Sequence, residues 1–214
     1  MIKVNEIFYG LQGEGSLAGY PFSFVRLTGC NLRCSYCDTP EAFEEGEDRT
    51  VDQIMAELDR FNCPRVLITG GEPLLQPDTP HLIRRLIDED YEVHLETNGS
   101  LDIQPVPDQC RILMDIKCPG SGESDKNHMN NLLHLRPGIE LKFVVSNKSD
   151  YEWARDFCEG RGLFAMNRTI HFSLVHGKLD PKKLTKWMLK DRVNARLHLQ
   201  LHKVVWGPSG KEKG

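Results

Sequence analysis

The stretch FSFVRLTGCNLRCSYC, residues 22–37, joins an apolar run to a loop that carries three cysteines. Cys30, Cys34 and Cys37 lie within eight residues, so one loop can wrap a metal cluster. Structural zinc is normally closed by four ligands in paired motifs, and no second CxxC pair follows. A four-iron cluster on three thiolates keeps one iron open to a substrate. We therefore predict a 4Fe-4S cluster; a zinc site that borrows a distant Cys or His, or buried unreactive cysteines, are the alternatives.

Short β-rich runs alternate with helical patterns, which predicts an α/β fold around a mostly parallel sheet. Capping boxes predict helices that begin near Thr50 and Ser149. Residues 97–110 contain two prolines and no helical periodicity, so one crossover helix is expected to be missing or irregular. This pattern favours an abbreviated barrel or an open sheet. The predicted strands are about 22–27, 65–69, 92–96, 111–116, 140–145, 168–174 and 195–202.

The composition excludes several classes of protein. Hydrophobic residues make up 39% of the 214 residues, and no apolar run approaches the ~18 needed to span a bilayer. The 27 Lys and Arg against 31 Asp and Glu lack the basic excess of a nucleic-acid binder. Seven cysteines, an odd number, argue against a disulfide framework. We expect one cytoplasmic domain over 1–214, with a flexible tail at 207–214 and no membrane or nucleic-acid partner.

Two features beside the cysteine loop indicate a binding site. The sequence GGEP at 70–73 follows an apolar run, where glycines permit close approach of a ligand, although a plain turn is the simpler alternative. Arg26 interrupts the apolar run 22–27, and a buried charge needs a partner. That partner is either a substrate carboxylate, which a guanidinium binds in a bidentate manner, or a protein carboxylate such as Glu6 or Glu14.

The motif CxxxCxxC, with Tyr36 before its last Cys, resembles the cluster motif of the radical S-adenosylmethionine (SAM) superfamily. Further motifs are similar to the 7-carboxy-7-deazaguanine synthase family within it. Together these motifs span nearly the whole chain. The resemblance implies an α/β fold of the abbreviated, partial (β/α)6-type TIM barrel class. The motifs are EIFYGLQGEG at 6–15, FVRLTGCNLRC at 24–34, CDT at 37–39, GGEP at 70–73, ETNG at 96–99 and LQLHK at 199–203.

The resemblance also implies a reaction. A 4Fe-4S cluster on Cys30, Cys34 and Cys37 binds SAM, and one electron cleaves SAM to a 5′-deoxyadenosyl radical. The radical abstracts hydrogen from 6-carboxy-5,6,7,8-tetrahydropterin, whose ring contracts and loses ammonia to give 7-carboxy-7-deazaguanine, a precursor in queuosine and 7-deazapurine biosynthesis. Mg²⁺ is bound by Thr39, otherwise a plain loop residue. The implied partners are the pterin, a second copy of the chain in a homodimer, and a flavodoxin or ferredoxin reductant.

The resemblance assigns residues to each ligand. The chain departs from the family where a small-Pro-Lys stretch reads Asp-Ile-Lys at 115–117, where Leu174 replaces a common Pro, and where the chain continues past Pro208. His202 faces either the pocket or solvent. The SAM contacts are Tyr36, Asp38, Gly71, Glu72, Glu96, Asp115, Ile116, Lys117, Ser173, Leu174, Val175 and His176, and the substrate contacts are Leu11, Gln12, Gly13, Glu14, Arg26, Thr69, His202 and Pro208.

Two other functions remain open on the sequence. A radical SAM activating enzyme shares the cysteine motif but acts on a protein glycine. A noncatalytic iron-sulfur or zinc module would hold the metal and cleave no SAM. The remaining cysteines lack paired spacing and are expected to be structural; they are Cys63, Cys110, Cys118 and Cys158.

Overall fold

One sheet organises the part of the chain that the structure, a computed structural model, describes, namely residues 1–166 and 168–207. Its strands are β1 (Ile2–Leu11), β2 (Pro21–Leu27), β3 (Glu47–Arg49), β4 (Arg65–Gly70), β5 (Glu92–Thr97), β6 (Arg111–Ile116), β7 (Ile139–Val145), β8 (Ile170–Leu174) and β9 (Arg196–His198). The α-helices are α1 (Val51–Leu58), α2 (Thr79–Asp88), α3 (Lys148–Gly160), α4 (Pro181–Asp191) and α5 (Leu201–Trp206). Of the predicted tail, only Gly207 lies within the described residues.

The strand order is that of an opened barrel. It runs β3-β1-β2-β4-β5-β6-β7-β8-β9, with β1 antiparallel to β2 and β3 and all later pairs parallel. The two edge strands do not pair with each other within the described ranges. No α-helix joins β5 to β6 across the described residues 98–110, as the missing periodicity predicted. The predicted abbreviated, partial barrel is confirmed.

One face of the sheet, here the helix face, is apolar because it packs against the helices. Side chains on alternate strand positions form a continuous core with apolar residues of α1 to α4. Parallel sheets are formed by crossovers that cover them in this way. Helix α1 begins at the predicted capping box, in which Thr50 and Gln53 bond reciprocally. Typical helix-face residues are Val25, Ile68, Leu95, Met114, Leu141, Phe143 and Phe172, all fully buried.

The opposite face, here the cavity face, carries polar and charged side chains. Directly paired residues of parallel strands project to the same side of a sheet. The register pairs Arg26 with Thr69 and Asp115 with Lys142, so these side chains share a face. A small aromatic cluster of Phe22, Phe24 and Leu67, with Phe8 packed on it, also lies on the cavity side.

Three local predictions were wrong or incomplete. The last strand ends at His198 rather than 202, because the Leu201 N–H donates to the Gly13 carbonyl at 2.9 Å and α5 begins there. Leu199, which follows the strand, is 42% exposed. Helix α3 is capped by the Asn147 side chain, which accepts from the Asp150 N–H, and not by Ser149. Strands β1 and β3 were not predicted.

Candidate active site

The three cysteines lie on a loop that is hydrogen-bonded to the segment after β6. The Ser35 N–H and hydroxyl donate to the carbonyls of Ser121 and Gly120 at 2.9 and 2.8 Å. The Arg33 N–H donates to Glu123 at 2.7 Å, and Leu32 is buried beneath the loop. These bonds hold the loop open around a cavity of roughly 280 Å³.

Cys30, Cys34 and Cys37 all face this cavity as free thiols. Within the described ranges, they do not converge with other ligands on a site for one metal ion. Burial raises the pKa of the Cys34 and Cys37 thiols, and the positive charge of a bound metal would favour their thiolate forms. Three thiols that line one cavity without converging on a single point fit an iron-sulfur cluster, because each thiolate binds a different iron of the cluster.

The GGEP turn brings two backbones together next to the cysteines. A side chain on Gly71 would place Cβ 2.2 Å from the Gly29 carbonyl oxygen and 2.8 Å from Cys30 Cβ, so glycine is required here. Gly71 lines the cavity. The Glu72 carboxylate turns away from the lining and accepts from the Leu74 N–H, the Thr97 hydroxyl and the Asn98 N–H at 3.0, 2.8 and 2.6 Å. Glu72 therefore joins the loops after β4 and β5.

A chain of buried charges crosses the cavity face. Lys142 pairs with Glu14 and lies 3.6 Å from Asp115, which pairs with Lys117 at 3.1 Å. Burial raises the pKa of Glu14, but the charges of Lys142 and His198 lower it more, so that pKa lies well below its usual range. The second oxygen of Asp115, Oδ1, is buried and has no hydrogen-bond partner in the described residues. An unsatisfied acceptor at the cavity wall fits a ligand that carries donors.

Glu96 lies beside these buried charges, and it forms no ion pair with a lysine or arginine in the described residues. It accepts from the Gln12 side chain at 3.1 Å and from the Thr69 hydroxyl at 3.5 Å. Burial, and next the negative charge of Glu14, raise the pKa of Glu96 to about 7. Of these two carboxylates, Glu14 stays ionised and Glu96 can hold a proton near neutral pH.

Arg26 pairs with a protein carboxylate and also lines the cavity. Its Nε donates to Glu6 at 2.7 Å, which is the predicted protein partner. The side chain also lines the cavity, where its guanidinium lies 5.8 Å from the centre of the Phe8 ring. Phe8 stacks on Phe24 at 4.6 Å, so a flat apolar surface lies next to a positive charge.

The last described segment forms one wall of the cavity. Helix α5 places the His202 ring so close to Gly13 that a Cβ there would lie 1.8 Å from Nδ1. The Gln200 side chain donates to Glu14 at 2.7 Å, and Lys203 pairs with Asp38 on the cysteine loop. These contacts join three segments into one wall: the LQGEG loop, which is residues 11–15, the cysteine loop and α5.

Most of the residues assigned from the sequence line this one cavity. Glu72, Ile116 and Ser173 do not line it: Ile116 faces the helices, and Ser173 contacts His198. Pro208 lies outside the described residues. The assigned residues that line the cavity are Leu11, Gln12, Gly13, Glu14, Arg26, Cys30, Cys34, Tyr36, Cys37, Asp38, Thr39, Thr69, Gly71, Glu96, Asp115, Lys117, Leu174, Val175, His176 and His202.

Sequence reasoning missed Lys142, which also lines the cavity; Lys203 and Asn98 line it too and lie within the quoted motifs LQLHK and ETNG, but were not among the assigned contacts. A signal for Lys142 was present, since it interrupts the apolar run IELKFVV as Arg26 interrupts FSFVRL. The same rule, that a charge in a buried strand needs a partner, identifies both. Lys203 ends the motif LQLHK, but it reaches the site through the change from strand to helix after His198, which the motif does not show.

Comparison with known proteins agrees with this site. Residues 24–119 match the model of the radical SAM superfamily. A 7-carboxy-7-deazaguanine synthase of Chlorobaculum tepidum is 42% identical over 98% of this chain and 96% of its own length. One of Koribacter versatilis is 39% identical, with 98% and 99% covered. The chain belongs to the 7-carboxy-7-deazaguanine synthase family. The resemblance predicted from its motifs is confirmed, and the chain is a radical SAM enzyme.

A solved relative supports the same fold. The crystal structure of QueE from Escherichia coli superposes with a TM-score of 0.75 at 23% identity, and the match covers 94% of each chain. Membership in this family implies a 4Fe-4S cluster and SAM. The two curated relatives are synthases and not glycine-activating enzymes. No described helix is long and apolar enough to cross a membrane.

Proposed function

We propose that the chain converts 6-carboxy-5,6,7,8-tetrahydropterin to 7-carboxy-7-deazaguanine with loss of ammonia, in queuosine or 7-deazapurine biosynthesis. The observation that carries this proposal is a single cavity whose lining includes three cysteine thiols, Gly71, and a set of paired charges. The LQGEG loop and α5 form one wall of this cavity.

Cys30, Cys34 and Cys37 would hold the cluster, and Gly71 leaves room for the methionyl part of SAM. When bound, the cluster and SAM supply one-electron, hydrogen-abstracting chemistry. Asp115 Oδ1 offers a buried acceptor that has no hydrogen-bond partner among the described residues, which suits a donor group of SAM. His202 packs against Gly13 and forms part of the wall of this space.

The pterin would bind at the other end of the cavity. Its donor-rich edge suits the Glu14 carboxylate and the Gln12 side chain, and its flat ring suits the stacked Phe8 and Phe24. Arg26 is placed to bind the substrate carboxylate with the guanidinium nitrogens that Glu6 leaves available. Glu96, with a pKa of about 7, can accept or return a proton during ring contraction.

Mg²⁺ is a further part of the proposal, with Thr39 as a ligand. The Thr39 hydroxyl lines the cavity and lies 3.2 Å from Asp38 Oδ1, so oxygen donors of the kind Mg²⁺ prefers are close together. We expect Thr39→Val to abolish the stimulation of activity by Mg²⁺ while Thr39→Ser keeps it. If Thr39→Ala leaves both activity and its Mg²⁺ dependence unchanged, Thr39 is not a ligand.

We also propose a homodimer. Apolar side chains that follow β8 remain exposed, among them Leu199, Val204 and Trp206 at 42%, 62% and 41%, and exposed apolar surface of this kind suits a second copy. Light scattering should give twice the mass of one chain, and Val204→Glu should shift the mass toward one chain. A monomer at all concentrations contradicts the proposal.

The remaining proposals concern electron supply and location. Cys37 is exposed, so a flavodoxin or ferredoxin can approach the cluster loop. All seven cysteines are free thiols, which suits the reducing cytoplasm.

The decisive experiment reconstitutes the protein anaerobically with iron and sulfide and adds SAM, dithionite, Mg²⁺ and 6-carboxytetrahydropterin. Mass spectrometry should detect 7-carboxy-7-deazaguanine, and Cys34→Ala should abolish it. Formation of 5′-deoxyadenosine without the deazaguanine would mean that the substrate is wrong. An intact cluster that yields neither product would support a noncatalytic module.

A further inference from the structure

Lys142 occupies the centre of the cavity face. It lies in the middle of β7, in register with Asp115 on β6 and His171 on β8, and it is 9% exposed. Its ammonium pairs with Glu14 and lies 3.6 Å from Asp115 Oδ2. A buried ammonium requires such partners, because desolvation costs several kcal/mol.

The Glu14 carboxylate is held from two sides. Lys142 donates to Oε2, and Gln200, just before α5, donates to Oε1. Its own N–H donates to the Gln12 side chain. Since 13–15 are glycine, glutamate and glycine, the local backbone alone does not fix this carboxylate, and the charged contact comes from β7.

Lys142 and Lys117 differ in the carboxylates with which they pair. Asp115 has two lysine partners, at 3.1 Å from Lys117 and 3.6 Å from Lys142. Glu14 has no second lysine or arginine within 4.0 Å among the described residues. Removal of Lys142 therefore leaves Asp115 paired but leaves Glu14 buried without a cation.

We propose that Lys142 is a positioning residue for the pterin and acts through Glu14, whose carboxylate it fixes toward the donor-rich edge of the substrate. This inference rests on the proposed assignment of Glu14 to the pterin. Lys142 does not touch SAM in this scheme, so its effect is confined to one of the two ligands.

The test measures ligand binding without turnover. Cluster-loaded protein, kept anaerobic and without reductant, is titrated calorimetrically with 6-carboxypterin, a stable oxidised analogue, and separately with SAM. Lys142→Met should weaken pterin binding at least about tenfold and change SAM binding less than about threefold. Lys142→Arg should recover most of the pterin affinity, because it restores the cation. Lys117→Met, the matched control at equal burial, should weaken SAM more than pterin.

A double-mutant cycle with Glu14→Gln separates the inference from its premise. If Lys142 acts through Glu14, the double variant Lys142→Met, Glu14→Gln should bind pterin no more weakly than Glu14→Gln alone. Additive losses, or unchanged pterin affinity in Lys142→Met, overturn the inference. Unchanged affinity in Glu14→Gln overturns the assignment of Glu14 itself. If Lys142→Met fails to fold, two other variants provide the test: Lys142→Arg, and the double variant, in which the charges of Lys142 and Glu14 are both removed. The pterin affinity of each is then compared with that of Glu14→Gln, and the same outcomes apply.

Discussion

The two faces of one sheet perform different tasks with alternate residues of the same strands. On β7, Leu141 and Phe143 face the helices and are fully buried, while Lys142 between them faces the cavity. The same alternation on β5 separates Leu95 from Glu96. A side-chain period of two thus lets a strand stabilise the fold on one side and position ligands on the other.

The energetics of the two faces have opposite signs. Apolar burial on the helix face contributes roughly 25 cal/mol for each Å² removed from water. The charges of the cavity face lose their hydration on burial, which costs free energy. Only ion pairing offsets that cost, as between Lys142, Glu14 and Asp115. We therefore expect substitutions on the helix face to reduce stability and those on the cavity face to reduce ligand binding.

The largest expected effect is that of Phe172→Ala on the helix face. Phe172 is fully buried and packs edge-on against Phe143 and Tyr151 at 5.6 and 6.0 Å, so the lost side chain leaves a void that costs about 3–5 kcal/mol of unfolding free energy. Urea unfolding of the cluster-free protein measures it. The matched variant on the other face is Phe24→Ala, which opens into an existing cavity and should cost at least about 1 kcal/mol less. Equal losses would contradict the division between the faces.

Gly71→Ala should produce the next largest effect. The new Cβ meets the Gly29 carbonyl oxygen at 2.2 Å, so the loops after β2 and β4 must separate, at a cost of about 1–3 kcal/mol. Because the same loops surround the cluster, SAM affinity should fall by tenfold or more, measured by calorimetry. Gly160→Ala is the control, since its Cβ meets nothing within 4 Å. Normal SAM affinity in Gly71→Ala would show that this approach is not needed for binding.

The parallel core of the sheet could be predicted because its strands are apolar runs that end in recognisable turns. The run at 65–69 and the capping box at Thr50 match β4 and α1. Strand β1 was not predicted because its ten residues alternate irregularly, and Glu6 and Tyr9 interrupt its apolar positions. The structure assigns it a place by its pairing with β2, a long-range contact that local pattern does not report.

The cavity could be predicted by residue type but not in its pairing. The cysteine spacing and the GGEP turn identified one end of the site, and Arg26 identified the other. The ion pairs of Lys142 and Lys203 depend on partners 128 and 165 residues away in the chain, which spacing does not reveal. The segment after His198 shows the same limit: its alternation predicts a strand, yet the Gly13 carbonyl captures the Leu201 N–H and a helix follows.

Arg26→Lys should affect binding more than stability. Lysine keeps the charge beside Glu6, a partly exposed pair worth about 0–1 kcal/mol, but it loses the planar fork that binds a carboxylate. We expect the KM for the pterin to rise about tenfold, with unfolding free energy changed by less than about 1 kcal/mol. Glu6→Gln, which breaks the ion pair and keeps the guanidinium, is the control for the structural contribution. A stability loss without a change in KM would limit Arg26 to the ion pair.

The effect expected from Glu96→Gln depends on pH. Burial and Glu14 raise the pKa of Glu96 to about 7, so the native state binds this proton more tightly than the unfolded chain does. The stability that Glu96 contributes is present below its ordinary pKa near 4.5 and is lost as pH rises toward 7, by up to about 1.4 kcal/mol per pH unit. Glutamine does not titrate, so the unfolding free energy of Glu96→Gln should lack this slope when urea unfolding of cluster-free protein is measured from pH 5 to 8. Val93→Ala, on the helix face of the same strand, should lower the curve by about 2 kcal/mol at every pH, and a Glu96→Gln curve parallel to the wild type would show that the cavity face does not perturb this carboxyl.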